Sequence, residues 1–196
     1  TYDAADNTVS QTLPSGKQLQ FAYDALDRNT QIDSGTDTVT FTYDALGNLL
    51  TASDGDSQLQ FTHDSENRIL SQETLPGNIQ PPLVLASTYN PHGDRTQLAA
   101  NTGGIWNFTY DTNSRLQMLQ TPAGDSITTS YDAAGRPLQV SYSNGVTTQH
   151  SYDAAGRLAA IEHAASGAAF SQLTYSYTAI GTVESIADLS GTTCLL

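Results

Sequence analysis

The sequence predicts an all-β fold, a series of about nine consecutive antiparallel β-hairpins in one long sheet, and three observations predict it. An aromatic or histidine anchor recurs at Tyr2, Tyr23, Tyr43, His63, Tyr89, Tyr110, Tyr131, Tyr152 and Tyr177, at steps of 21, 20, 20, 26, 21, 21, 21 and 25 residues. The residues ahead of the anchors alternate apolar and polar. All fifteen glycines fall into two classes of turn position. Self-similarity at this spacing marks a single supersecondary unit stacked many times over.

The first strand of each repeat leads into its anchor. Leu19-Phe21-Tyr23, Val39-Phe41-Tyr43, Leu59-Phe61-His63, Trp106-Phe108-Tyr110 and Leu173-Tyr175-Tyr177 alternate with Gln20, Thr40, Thr42, Gln60, Asn107 and Ser176. Successive strand side chains point to opposite faces, so each strand has one apolar and one polar face. No segment shows a helical period over ten or more residues.

A tight turn follows the anchor. Asp stands next in seven of nine repeats (Asp3, Asp24, Asp44, Asp64, Asp111, Asp132 and Asp153), with Asn90 and Thr178 in the other two. Four places after the anchor come Asp6, Asp27, Gly47, Asn67, Gly93, Ser114, Gly135, Gly156 and Gly181. Eight of these nine are Gly, Asn or Asp, the residues that enter the left-handed region most easily. The Asp is expected to open a type I turn and the later residue to take the left-handed bulge position. The second strand then begins on Leu49, Ile69, Leu116, Leu158 or Val183. It ends at a second turn, at Gly16, Gly35, Gly55, Gly77, Gly103-Gly104, Gly124, Gly145, Gly167 or Gly191, three of them preceded by Pro14, Pro76 or Pro122. Glycine weakens strand interiors, so its confinement to these places marks the strand ends.

Arginine is equally ordered. Arg28, Arg68, Arg115, Arg136 and Arg157 stand five places after their anchors and Arg95 six. A repeated Arg beside a repeated Asp suggests ladders of charge pairs running across neighbouring hairpins.

Composition narrows the partners. Seven Lys and Arg against twenty Asp and Glu give a net charge of -13, which repels phosphate backbones and anionic lipid. Nucleic acid is therefore not an expected partner. The longest aliphatic run, Leu83 to Ala86, is far short of the roughly 20 apolar residues of a membrane-spanning helix, so no membrane span is expected. The lone Cys194 excludes an intrachain disulfide or a multi-cysteine zinc site. The chain opens at Thr1 in the middle of a repeat, and residues 1–196 are read as one repeat region of about nine hairpin units excerpted from a longer protein.

The run Tyr131-Asp132-Ala133-Ala134-Gly135-Arg136, with its second copy Tyr152-Asp153-Ala154-Ala155-Gly156-Arg157-Leu158, resembles the YD repeat of Rhs proteins. That family includes bacterial Rhs polymorphic toxins, C subunits of insecticidal toxin complexes, wall-associated proteins and teneurins. The resemblance implies a sheet wound in a spiral into part of a hollow shell that holds a toxin domain. The Asp-Pro motif that closes Rhs toxin shells is absent from this sequence. Eighteen strands at about 4.8 Å each give a sheet of roughly 86 Å, against roughly 140 Å around a cargo of about 100 residues. Such a chain supplies an arc of a shell and cannot close one around that cargo.

The structural motif is therefore carried by Tyr23, Asp24 and Arg28; Tyr43, Asp44 and Gly47; Tyr110, Asp111 and Arg115; Tyr131, Asp132, Gly135 and Arg136; and Tyr152, Asp153, Gly156 and Arg157. The anchor tyrosines are read as packing groups with hydrogen-bonded hydroxyls, as buried Tyr usually is. No catalytic, cofactor or metal residues are assigned. His63, His92, His150 and His163 lack metal-ligand spacing, and Asp54-Gly55-Asp56 lacks the rest of a calcium loop. The expected function is structural: a segment of a secreted or cell-surface β-shell, its partners being neighbouring YD repeats and an encapsulated toxin domain. The alternative is an extracellular carbohydrate-binding or adhesive module with glycan contacts at Tyr89 and Trp106, where a long repeat and the lone Trp break the pattern.

Overall fold

The computed structural model describes residues 1–76, 82–191 and 193–195. The turn expected at Gly77 lies outside the described residues. The chain forms two compact blocks, Thr1–Thr88 with Leu98–Gly104, and Tyr89–Gln97 with Ile105–Leu196.

The first block contains β1 (Ser10–Thr12), β2 (Gln18–Tyr23), β3 (Asn29–Asp33), β4 (Thr38–Tyr43), β5 (Leu49–Ser53), β6 (Ser57–His63), β7 (Ile69–Pro76) and most of β8 (Leu83–Tyr89). Each strand from β1 to β7 pairs antiparallel with its successor. Strand β9 (Arg95–Ala100) is divided between the blocks. The second block continues with β10 (Ile105–Tyr110), β11 (Leu116–Gln120), β12 (Ser126–Tyr131), β13 (Pro137–Tyr142), β14 (Val146–Tyr152), β15 (Leu158–Ala165), β16 (Ala168–Tyr177), β17 (Val183–Asp188) and β18 (Thr193–Leu195). These too pair antiparallel in chain order. Among the described residues there is no helix.

Eight anchors are the last residues of their strands, from Tyr23 to Tyr177, and Tyr2 forms an isolated bridge to Thr8. The ladder slips by one residue at the anchor in seven hairpins, for instance between Ser151 and Tyr152, where Tyr152 pairs with Leu158. The extra residue is a β-bulge, which bends the second strand beside these seven turns.

The turns take the expected form. In the eighth repeat Gly156 N donates to Asp153 O (2.9 Å), closing a four-residue turn opened by the Asp, and Asp153 N donates to Arg157 O (2.8 Å). All nine residues four places after the anchors have positive φ, including the non-glycines Asp6, Asp27, Asn67 and Ser114 at 65°, 57°, 62° and 57°. Ser114, outside the Gly, Asn and Asp set, therefore obeys the same backbone rule. The second turns are less uniform. Gly55 does not enter the positive-φ region; there Asp54 Oδ1 accepts from Asp56 N, Ser57 N and Ser57 Oγ at 2.9, 2.6 and 3.1 Å. That carboxylate oxygen is occupied by its own turn.

Strand alternation appears as alternating exposure, as in β2 and β4. Cross-strand partners share a face, which places Phe21, Ile32 and Val39 in one row and Phe108, Leu119 and Ile127 in another. The opposite face is hydroxyl- and amide-rich, with Thr42–Thr51, Thr62–Ser71 and Ser176–Ser185 hydroxyl pairs at 2.6, 2.6 and 2.7 Å. Among the described residues no apolar side chain is buried, and Thr148 alone falls in the buried class. Within each block the described strands contact only their sheet neighbours, so these side chains are half-covered by their neighbours along the sheet.

Candidate functional site

The repeated chemistry gathers at the anchor turns. In each Asp-Arg repeat the carboxylate divides its oxygens between two tasks. Asp153 Oδ1 accepts from the backbone N–H of Ala155 and Arg157, both at 2.9 Å, and Oδ2 accepts from Arg157 Nε at 2.7 Å. The same set recurs at Asp24–Arg28, Asp64–Arg68, Asp111–Arg115 and Asp132–Arg136, with Nε to Oδ2 at 2.8, 2.6, 2.6 and 2.6 Å.

These pairs lie inside one turn, four residues apart. The expected ladder of charge pairs across neighbouring hairpins is thus corrected. Oδ1 is held by the turn's own N–H groups, and that leaves Oδ2 aimed at the side chain leaving the same turn. The contact that does cross between hairpins is a cation on a ring. The guanidinium carbons of Arg28, Arg115, Arg136 and Arg157 stand over the rings of Tyr43, Tyr131, Tyr152 and Tyr177 at 4.7, 4.5, 4.1 and 4.4 Å from the centroid. Arg28 Nη1 also donates to Asp44 O at 2.9 Å. Arg95, one place out of step, covers Phe108 instead at 5.2 Å.

The tyrosines answer in the opposite direction. The hydroxyls of Tyr23, Tyr43, Tyr110, Tyr131, Tyr152 and Tyr177 donate to the carbonyls of Thr8, Asn29, Arg95, Leu116, Pro137 and Leu158 at 2.7–2.9 Å. Each acceptor lies six places after the preceding anchor. At Tyr43, Tyr131, Tyr152 and Tyr177 one repeat is therefore fastened to its neighbour both by a hydrogen bond and by a stacked cation, and at Tyr23 and Tyr110 by the hydrogen bond. His63 replaces a tyrosine in this series, and its Nδ1 is enclosed without a hydrogen-bond partner.

Residues that the sequence marked as exceptions keep the geometry. Asn90 Oδ1 accepts from His92 N and Asp94 N at 2.9 and 3.0 Å, and Thr178 Oγ1 accepts from Thr182 N at 3.2 Å. The turn requires an acceptor oxygen at this place, and an amide or hydroxyl supplies one. Sequence reasoning passed over Asn7, Asn48 and Asp94, which stand where Arg stands elsewhere; their regular offset from the anchor was the available signal.

Charge follows from these contacts. The Arg28 and Arg115 guanidinium hydrogen bonds hold Asp24 and Asp111 below the usual carboxylate range. For Asp64, Asp132 and Asp153 the first cause is the backbone N–H of Arg68, Arg136 and Arg157. Asp44 is lowered by the Asn48 amide. A carboxylate lowered in the folded state adds stability above its unfolded pKa and loses it as pH falls through the folded value. The chain is therefore expected to hold a constant urea midpoint from neutrality down to about pH 4 and to lose it progressively below. Replacing Asp24, Asp111, Asp132 and Asp153 together by Asn flattens that acid limb; an unchanged acid limb would show that other groups set it.

Tyr89 and Trp106 are both half-exposed. A cavity of about 400 Å³ in their region is lined by Asn90, His92, Asp94, Phe108 and Tyr110 among others, and neither Tyr89 nor Trp106 is among its lining residues. No three of His, Cys, Asp and Glu gather as a metal site among the described residues, and no helix of the described residues is long and apolar enough to cross a membrane.

Against known proteins, the family model described as RHS Repeat matches residues 2–35 and 131–169. Those two stretches match Rhs repeats. The second match covers the two turns with Tyr-Asp-Ala-Ala-Gly-Arg. Solved structures extend the likeness over nearly the whole length. The crystal structure of TcdB2-TccC3-TEV aligns with 96% of this chain and 12% of its own, at 18% identity and a TM-score of 0.62. That of TcdB2-TccC3 without its hypervariable C-terminal region gives 96%, 12%, 19% and 0.62. The Photorhabdus luminescens Tc holotoxin pore with a variant TccC3 gives 96%, 12%, 18% and 0.61. At such identities the likeness is one of fold, and this chain spans about 12% of the length of those chains. No curated protein matches it.

Proposed function

We propose that this chain is a structural segment of an Rhs-repeat β-shell whose parent protein encloses or presents a C-terminal toxin domain at the cell surface or after secretion. The observation that carries this reading is a sheet with no buried apolar side chain among its described residues, fastened instead by repeat-to-repeat contacts. Such an array is stabilised by nearest neighbours and lengthens without limit from an interior. Rows such as Phe21, Ile32 and Val39 remain half-covered, ready to line an enclosed space. The similar chains are far longer than this one, and one is described as lacking a hypervariable C-terminal region. The role is that of a wall, with no reaction assigned to its side chains.

In the parent protein the segment following the repeats is expected to resist protease under native conditions. With Arg115, Arg136 and Arg157 all replaced by Ala, it should be digested at protease concentrations that leave the wild type intact. Rapid digestion of that segment in the native wild type would overturn the enclosing role.

A further inference from the structure

We infer that neighbouring repeats select one another through two side-chain positions: the fifth residue after the anchor in one repeat and the fourth after the anchor in the next. Every Arg at the first position is followed by Gly at the second: Arg28 by Gly47, Arg68 by Gly93, Arg115 by Gly135, Arg136 by Gly156 and Arg157 by Gly181. The remaining junctions carry neither: Asn7 is followed by Asp27, Asn48 by Asn67 and Asp94 by Ser114.

The geometry explains why the two kinds do not mix. A Cβ on Gly156 would lie 3.1 Å from Arg136 Nη1, one on Gly135 3.4 Å from Arg115 Nη1, and one on Gly47 3.9 Å from Arg28 Nη1. The guanidinium cannot easily yield, because Asp132 holds Arg136 Nε at 2.6 Å while its Cζ rests 4.1 Å above Tyr152. A side chain at Gly156 would press it from one partner or the other, whereas at Gly135 and Gly47 a Cβ would meet the guanidinium at ordinary contact distance. Where the first residue is short, that space is bridged by a hydrogen bond. Asn7 Nδ2 donates to Asp27 Oδ1 (2.9 Å), Asn48 Nδ2 to Asn67 Oδ1 (2.8 Å) and Ser114 Oγ to Asp94 Oδ2 (3.0 Å).

The bridge needs a side chain in the place where Arg136 crowds the Cβ position of the next repeat, and it places a non-glycine at positive φ, which Asn and Asp tolerate best. The two junctions are alternative solutions to one gap. A repeat docked beside the wrong neighbour either crowds a guanidinium or leaves the gap unbridged, so the pairs discriminate correct from slipped stacking. At Gly181 no atom lies within 4 Å of the Cβ position, so this junction, at a 25-residue step, is the loosest.

Urea unfolding of the whole chain, followed by circular dichroism, tests the inference. Gly156→Asn should lower the midpoint more than Gly181→Asn, which stands at a similar φ of +89 against +81 but meets no neighbour. Arg136→Asn alone should also lower it. The double variant, Arg136→Asn with Gly156→Asn, should unfold at a higher midpoint than Gly156→Asn alone. If Gly156→Asn does not fold, the reciprocal set is decisive: Asn48→Arg lowers the midpoint and added Asn67→Gly restores part of it. Simple additivity in whichever set folds overturns selection at this pair.

Discussion

Tyr43→Ala is expected to lower the stability of its block by about 2–3 kcal/mol, somewhat less than the loss of a fully buried aromatic ring. Three features go together: the hydroxyl bond to Asn29 O at 2.8 Å, the surface under the Arg28 guanidinium 4.7 Å above the ring, and the half-buried ring itself on the face it shares with Phe41. Tyr43→Phe separates them, because it keeps the ring and removes only the hydroxyl, a loss of about 1 kcal/mol. Chemical denaturation of the three proteins gives the comparison. Equal midpoints for the Ala and Phe variants would mean that the ring contributes nothing and that the repeats are held by backbone pairing alone.

Replacing Arg115, Arg136 and Arg157 together by Ala should destabilise the second block by about 2 kcal/mol from stacking alone, at roughly 0.5–1 kcal/mol for each half-exposed cation on a ring. The Lys triple variant separates charge from shape. Lysine keeps the positive charge but has no planar fork to hold Asp Oδ2 while lying flat on the next tyrosine. Its midpoint should therefore stay near that of the Ala variant. Recovery to the wild-type midpoint with Lys would show that net charge is what matters. Added salt weakens the half-exposed Asp–Arg pairs by screening while leaving much of the stacking, so the gap between wild type and the Ala variant should persist at high salt.

The strand ends were legible because they depend on local chemistry. Period-two alternation stops at each anchor, an acceptor follows it, and the left-handed position comes three residues later; backbone sterics admit few alternatives to that order. Asn90, Ser114 and Thr178 look degenerate by composition, yet they satisfy the same requirements, an oxygen acceptor or a tolerated positive φ. The partner of each Arg was not legible. In a repeating chain, a contact within a repeat and one between repeats produce the same periodic spacing, so Asp153 could have met Arg157 or Arg136 with equal consistency. Only the division of labour between Oδ1 and Oδ2 decides it. Likewise, alternation says which face is apolar but not whether anything covers it, and a second layer leaves no trace in a single strand's pattern.

That no described apolar side chain is buried bears on how such a chain can change through descent. In a globular domain, losing an internal segment opens a hole that the rest must collapse to fill. Here no interior volume fixes the tally of hairpins, and only the two new edges have to agree. Excising the stretch from Tyr131 to Ser151 would bring Arg115 against Gly156, a matched junction. Excising Tyr43 to Thr62 would bring Arg28 against Asn67, a mismatched one. Recombination between copies of the repeat is thus filtered at its seams, and gene length is free to drift in whole hairpins wherever the seam is compatible.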